Sequence, residues 1–116
     1  MAEHYLKLNR KYLSEAEGFL AKGDSVQASE KLWGAAAEIV KTIAAKRGIE
    51  LRSHRDLWEL IGKLADELDD PDIIKLFAIA SALHQNFYED WMPLNAVKRS
   101  TEAVKQLNEK LEKLIQ

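Results

Sequence analysis

The hydrophobic residues of this 116-residue chain recur with the period of an α-helix in five separate segments. No segment shows the strict apolar–polar alternation that is typical of a half-buried β-strand, so we expect an all-α protein. Gly23, Gly48, Pro71 and Pro93 lie between the segments, where residues of these types end or begin helices. The sequence therefore predicts one domain, residues 1–116, folded as an up-and-down bundle of four to five helices.

The predicted helices begin at side chains that cap helix N-termini. Asp24 and Ser53 are each followed three residues later by a side chain of the capping-box type. Asp70 followed by Pro71 is the clearest start signal, with a capping side chain and a proline at the first helical position. Short connections predict that neighbouring helices pack antiparallel. The predicted helices span about 2–22, 24–46, 53–68, 70–90 and 93–116.

The second predicted helix carries apolar residues on more than one face, so we place it at the centre of the bundle. Gly34 lies in its interior, where glycine costs about 1 kcal/mol relative to alanine. Because three alanines follow directly, we expect Gly34 to mark a close approach between two helices.

Composition and charge exclude several classes of function. The chain has no cysteine, so thiol catalysis, disulfides and cysteine-ligated metals are excluded. A net charge of −2 and a pI near 5.9 argue against a surface that is basic throughout and binds nucleic acid or a membrane. No targeting segment and no long uncharged apolar run is present, so we expect a cytoplasmic protein with no membrane contact. No metal or cofactor motif is found, and we expect neither.

A cationic corner follows the second predicted helix. It contains Arg47, Arg52, His54 and Arg55, and the last three surround the start of the next helix, where cations oppose the helix dipole. Free backbone N–H groups beside guanidinium groups predict an anion or phosphate site. In the alternative interpretation, Arg47 simply suits the C-terminus of the second helix, and Arg52 and Arg55 pair with carboxylates elsewhere, such as the acidic turn at 66–72.

The fourth predicted helix has an unusually wide apolar surface. Two stripes lie about 100° apart, which is more than one neighbouring helix covers. The helix is therefore central in its own bundle, or one stripe faces a second subunit of a homodimer. We assign His84, Asn86, Tyr88 and Trp91 to this cleft or dimer face.

Three sequence strings carry a family resemblance. They are QASEKLWGAAAEIVK at 27–41, LRSHRDLWELIGKLA at 51–65 and SALHQNFYEDWMP at 81–93. Together they resemble the archaeal PaREP family, which is similar in fold to HEPN domains. The resemblance implies a helical bundle, a homodimer, and a connection to nucleotides, RNA or toxin–antitoxin-like systems.

One departure from the HEPN pattern bears on activity. Active HEPN ribonucleases resemble one another in an arginine followed, four to six residues later, by a histidine on a late helix. The matching stretch here, from His84 to Trp91, contains no arginine. We therefore expect a non-catalytic homodimer that binds either an anionic ligand, namely a nucleotide or RNA, or a partner subunit. Two alternatives stay open: a metal-independent ribonuclease that uses His54 or His84, and a protein-interaction module that binds a nucleotidyltransferase-like subunit.

Overall fold

A computed structural model describes all 116 residues and contains five α-helices, which make up 80% of the chain, and no strand. The all-α bundle predicted from the sequence is confirmed. No helix has the length and the apolar character needed to cross a membrane. The helices are α1 (Ala2–Ala21), α2 (Ser25–Lys46), α3 (His54–Glu67), α4 (Asp72–Glu89) and α5 (Leu94–Glu112).

Two helix starts follow the capping pattern of the sequence, whereas the start predicted at Asp70 and Pro71 lies one residue early: α4 begins at Asp72, Pro71 occupies the N-cap position, and the Asp70 carboxylate accepts the N–H of Asp72 at 3.2 Å from one residue further out. The Asp24 carboxylate accepts the N–H of Gln27 at 3.1 Å at the start of α2, and the Ser53 hydroxyl accepts the N–H of Asp56 at 3.2 Å at the start of α3. These bonds satisfy backbone donors that lack a partner inside the helix. Gly23, after α1, has a φ of +76°, a left-handed conformation that suits glycine at the end of a helix. Each predicted helix therefore starts within two residues of its observed start.

Helix α2 lies at the centre of the bundle and contacts each of the other four helices. Apolar residues on several of its faces are almost inaccessible to solvent, because several neighbouring helices together cover α2. The central position predicted from the sequence is confirmed. The most deeply buried of these residues are Ala28, Leu32, Ala35, Ala36, Ile39, Val40 and Ile43.

The close approach predicted at Gly34 occurs between α2 and α1. The ring of Tyr12 covers Gly34 so closely that a Cβ atom added to this glycine would lie 2.9 Å from Cδ2 of Tyr12. Nearby, Glu15 of α1 pairs with Lys31 of α2 at 3.5 Å, so the two helices pack antiparallel. Gly34 thereby brings the Tyr12 ring against α2.

Helix α3 differs from the predicted antiparallel order. Its first residue, His54, contacts Trp33 in the first half of α2, whereas its last residue, Glu67, contacts Arg47 just beyond the end of α2. Helix α3 therefore runs in the same direction as α2. The connection at 47–53 is seven residues long, and a chain of this length can extend about 23 Å, enough to return along α2 before α3 begins.

Candidate ligand-binding site

Four aromatic side chains from three helices form one cluster at the side of the bundle. Trp33 of α2 stacks on His84 of α4 with ring centroids 4.9 Å apart, and it contacts His54 of α3 at 5.0 Å. The two histidine rings are 5.4 Å apart, and Tyr88 contacts His84 edge-on at 5.3 Å. The two histidines that the sequence analysis assigned to separate sites therefore belong to one cluster, which we call the histidine–aromatic cluster.

The helix geometry explains how these rings come together. His84 and Tyr88 are one turn apart on α4, so their side chains share a face. His54 reaches this face because the return connection brings the start of α3 beside Trp33, in the first half of α2. Below the cluster, the buried ring of Phe77 contacts Trp33 at 5.6 Å and so supports it from the core.

A cavity of about 260 Å³ opens beside the cluster, between α1, α2 and α4. Residues of α2 at helical spacing line one side of it, and Tyr12, which packs on Gly34, closes another. The lining combines aromatic rings with two acidic and two basic side chains. The aromatic lining residues are Tyr12, Trp33, His84, Phe87 and Tyr88, and the charged ones are Glu30, Lys31, Glu38 and Lys41.

Two buried polar atoms in the lining have no hydrogen-bond partner, Oε2 of Glu38 and Nδ1 of His84. The other carboxylate oxygen of Glu38 pairs with Nζ of Lys41 at 3.3 Å. A buried polar atom without a partner typically costs about 1–3 kcal/mol, so such atoms are rare in folded proteins. Two residues that line one cavity therefore each carry a polar atom that the fold leaves without a partner.

The environment of His84 keeps its imidazole neutral at neutral pH. Burial lowers the pKa of His84 below its usual value of 6.5, and the nearby His54 lowers it further, while Glu30 acts weakly in the opposite direction. A neutral imidazole has one nitrogen that donates and one that accepts. His84 can therefore offer a hydrogen bond to a ligand without adding a charge.

The arginines of the cationic corner are all paired with carboxylates. Arg47 donates two hydrogen bonds to Glu67, at 2.8 and 2.6 Å. Because of this pairing, the pKa of Arg47 is raised and that of Glu67 is lowered. Glu67 lies in the acidic turn at 66–72, which therefore pairs with Arg47 and not with Arg52 or Arg55, for which the alternative interpretation had named it.

The other two arginines of the corner have partners close in sequence. Arg52 pairs with Glu50 at 2.9 Å, and Arg55 pairs with Glu59 at 3.1 Å. His54, the fourth residue assigned to the anion site, packs in the histidine–aromatic cluster instead of joining the guanidinium groups. Anion binding at the corner stays a prediction, and it would require an anion to compete with these carboxylates.

The residues assigned to the cleft or dimer face occupy different environments. Asn86 is fully buried: its amide donates to the Ser29 hydroxyl at 2.8 Å, and its Oδ1 accepts the N–H groups of Trp91 at 2.8 Å and Met92 at 2.6 Å. Asn86 therefore holds the turn between α4 and α5 and lies inside the fold. Tyr88 and Trp91 are 73% and 52% exposed, so both remain available to a ligand or a second subunit.

Sequence reasoning did not identify the contribution of α2 to the cavity. Neither Trp33 nor Glu38 is among the site residues predicted from the sequence. The available signal was the string AAAEIV, in which one acidic residue stands among apolar residues that are otherwise buried. No group of three or more metal-ligating side chains lies close enough together to hold a metal ion.

The fold and the cavity define a small all-α bundle with an aromatic, histidine-containing site on its side. The chain belongs to the archaeal PaREP1/PaREP8 family, whose model matches residues 4–108. A protein of Sulfolobus solfataricus with a known crystal structure is similar in fold, with a TM-score of 0.82 and 27% sequence identity. The similarity covers 94% of this chain and 97% of that protein. No curated protein matches the chain significantly.

Proposed function

We propose that this protein is a non-catalytic binding protein of the HEPN-like type whose cavity holds a nucleotide or the end of an RNA strand. The observation that carries the proposal is that three members of the histidine–aromatic cluster (Trp33, His84 and Tyr88), two lysines and two residues with unpartnered polar atoms line one cavity. Such a lining offers the three interactions that a nucleotide needs, which are stacking, hydrogen bonding and a positive charge.

Stacking is supported by the exposed ring of Tyr88. Tyr88 is 73% exposed although its ring contacts His84 and Phe87, so much of the side chain is accessible beside the cavity. A nucleobase stacked on an aromatic side chain gains about 1–3 kcal/mol. The cavity, at about 260 Å³, is slightly smaller than a usual binding site for a whole drug-sized ligand. A base therefore suits the cavity, with the ribose directed outward.

The phosphate contact is supported by the lysines. Lys31 pairs with Glu15 at 3.5 Å and Lys41 with Glu38 at 3.3 Å, and both line the cavity. Each ammonium group has three donors, so one carboxylate partner leaves donors free. The side chain of Lys41 is 40% exposed, which lets its ammonium group reach a phosphate at the mouth of the cavity.

The test is an NMR titration of the protein with nucleoside monophosphates and a short single-stranded RNA. We expect shifts in the indole N–H of Trp33 and the backbone amide of Gly34, and smaller shifts around Arg52 and Arg55. A Tyr88→Ala variant should weaken binding about tenfold, as loss of one stacked ring predicts. Arg52→Gln serves as the matched control. If neither nucleotides nor RNA shift any cavity resonance, the proposal is wrong.

We further propose that the protein forms a homodimer through α4. Between Lys75 and Glu89 this helix contains no charged residue, yet Ile79 and Tyr88 are exposed. An exposed surface that is aromatic and poor in charge is typical of the centre of an interface. Light scattering should give twice the mass of one chain, and Ile79→Asp should give the single-chain mass. A single-chain mass for the wild type at high concentration would overturn the dimer.

A metal-independent ribonuclease is the second candidate, and the distance between His54 and His84 favours it. Two imidazoles 5.4 Å apart can supply a general base and a general acid on either side of a phosphodiester. If this candidate is right, single-stranded RNA is cleaved and both His54→Ala and His84→Ala lose about 100-fold or more in rate. Cleavage that survives both substitutions excludes the two histidines.

A further inference from the structure

Glu38 is a buried acidic residue whose burial the fold alone does not explain. It lies between Ala37 and Ile39 on the central helix, and its side chain is only 10% exposed. Carboxylates are almost never buried unless they are paired. One of its oxygens has a partner in Lys41, and the other, Oε2, has none.

Glu38, whose free oxygen is buried, is also one of the residues that line the cavity. Glu38 lines the same cavity as Trp33, His84 and Tyr88. An ionised carboxylate accepts hydrogen bonds and donates none. The ion pair with Lys41 keeps the carboxylate in place, since Lys41 is one turn further along α2. Glu38 therefore adds an acceptor without a partner to the residues that line the cavity.

We propose that Glu38 makes the cavity selective for guanine, through hydrogen bonds from the ring N1–H and the 2-amino group of the base to the carboxylate. This proposal rests on the nucleotide site proposed above and adds the identity of the base. Guanine is the one common base whose pairing edge places two donors side by side, which matches the two oxygens of a carboxylate. Adenine, cytosine and uracil each place an acceptor next to a donor on that edge, and this acceptor would face a carboxylate oxygen.

The lack of a partner for Oε2 of Glu38 strengthens the expected preference for guanine. A site built around a buried hydrogen-bonding group rejects ligands that leave the group without a partner. Guanine satisfies Oε2 of Glu38, while the second lone pair of Oε1 remains available beside Lys41. The unpartnered Nδ1 of His84 lines the same cavity and can hydrogen-bond to another polar atom of the purine.

The experiment measures the dissociation constants of GMP, IMP, AMP and UMP by isothermal titration calorimetry at pH 7.5. IMP keeps the ring N1–H but lacks the 2-amino group, so it separates the two hydrogen bonds. For the wild type we expect GMP to bind about tenfold more tightly than IMP and about 100-fold more tightly than AMP, because each charge-assisted hydrogen bond contributes about a factor of ten or more.

Glu38→Gln is the diagnostic variant, and Glu30→Gln is its matched control, because Glu30 is a second acidic residue in the same lining. We expect Glu38→Gln to weaken GMP binding about tenfold or more while leaving AMP almost unchanged. We expect Glu30→Gln to retain the preference for GMP. A thermal melt of each variant checks folding, and the wild-type series decides the proposal even if Glu38→Gln does not fold.

The outcomes separate this proposal from the function on which it rests. If the wild type binds AMP or UMP as tightly as GMP, selection by Glu38 is wrong and nucleotide binding stands. If no nucleotide binds, the proposed function itself is wrong, and the assignment to Glu38 is wrong with it. If GMP is preferred and Glu38→Gln retains the full preference, another group recognises the base and the assignment to Glu38 is overturned.

Discussion

The cationic corner and the histidine–aromatic cavity differ in how their polar groups are satisfied. At the corner, Arg47, Arg52 and Arg55 each have a carboxylate partner nearby. In the cavity, Glu38 and His84 each have a buried atom without any partner. The corner is the more conspicuous of the two in the sequence, because its charges are clustered. The comparison teaches that a charge cluster can be neutralised locally, whereas an unpaired buried atom retains the capacity to bind.

The largest effect is expected from substitution of Asn86. This substitution tests the difference between the buried side of α4 and its exposed side. Asn86→Leu should lower the free energy of unfolding by about 2–4 kcal/mol, because the side chain's partners at Ser29, Trp91 and Met92 all lose their hydrogen bonds. The exposed neighbour Gln85 provides the control, and Gln85→Leu should change the stability little. Urea denaturation measures both, and equal losses would contradict the buried role of Asn86.

The next largest effect is expected when a methyl group is added at Gly34. This change tests the contact between Gly34 and Tyr12, two residues that line the cavity. Gly34→Ala should cost about 1–2 kcal/mol, because the new methyl group overlaps the ring of Tyr12. Gly62→Ala is the matched control in α3, since nothing lies within 4 Å of a Cβ there. It should raise the stability by up to about 1 kcal/mol through helix propensity. Opposite signs in thermal melts support the contact, and a gain at both positions would refute it.

A smaller effect concerns pH and the pair of histidines. Because the pKa of His84 in the folded state lies below its unfolded value, the stability it contributes is present above about pH 6.5 and decreases as the pH falls through the folded-state pKa. Replacement of His54 removes a positive neighbour, so His54→Asn should raise the pKa of His84. An NMR titration of the imidazole resonances measures this shift, and His4→Asn should leave it unchanged. An unaltered midpoint in His54→Asn would show that the two rings do not interact.

The smallest effects are expected at the cationic corner. Arg52 and Arg55 have strongly exposed side chains, and exposed ion pairs contribute little to stability. Arg52→Gln and Arg55→Gln should therefore leave the urea midpoint and the nucleotide affinity unchanged. If either variant abolishes nucleotide binding while the Tyr88→Ala variant does not, the corner is the anion site and the comparison with the cavity is reversed.

The course of the helices was largely predictable because its signals are local. Caps such as Asp24 and Ser53, and glycines such as Gly23 at helix ends, act over three or four residues, and all three perform the predicted roles. The central position of α2 followed from the width of its apolar surface. The direction of α3 was not predictable in the same way, because it depends on the path of a connection and on no local preference.

The site was less predictable than the fold because its parts come from different helices. His54 and His84 are both prominent in the sequence, but their proximity depends on the direction of α3. Glu38 could have been noted as an acidic residue among buried ones, yet its free oxygen is a property of the packed structure. Pairing of Arg47 with Glu67 is likewise a contact between distant segments, which spacing alone does not reveal.

The return connection at 47–53 places the first residue of α3, His54, beside Trp33 of α2. Most of it is exposed, while Leu51 packs against the core and anchors it partway. Each residue added to or removed from an extended segment changes its reach by about 3.3 Å, which is a large fraction of the distance between the two histidine rings. The seven-residue length of the connection is thus sufficient to bring His54, the first residue of α3, beside Trp33. His54 contacts Trp33 and His84, two residues of the cavity lining, so the connection influences the cavity although none of its own residues lines it.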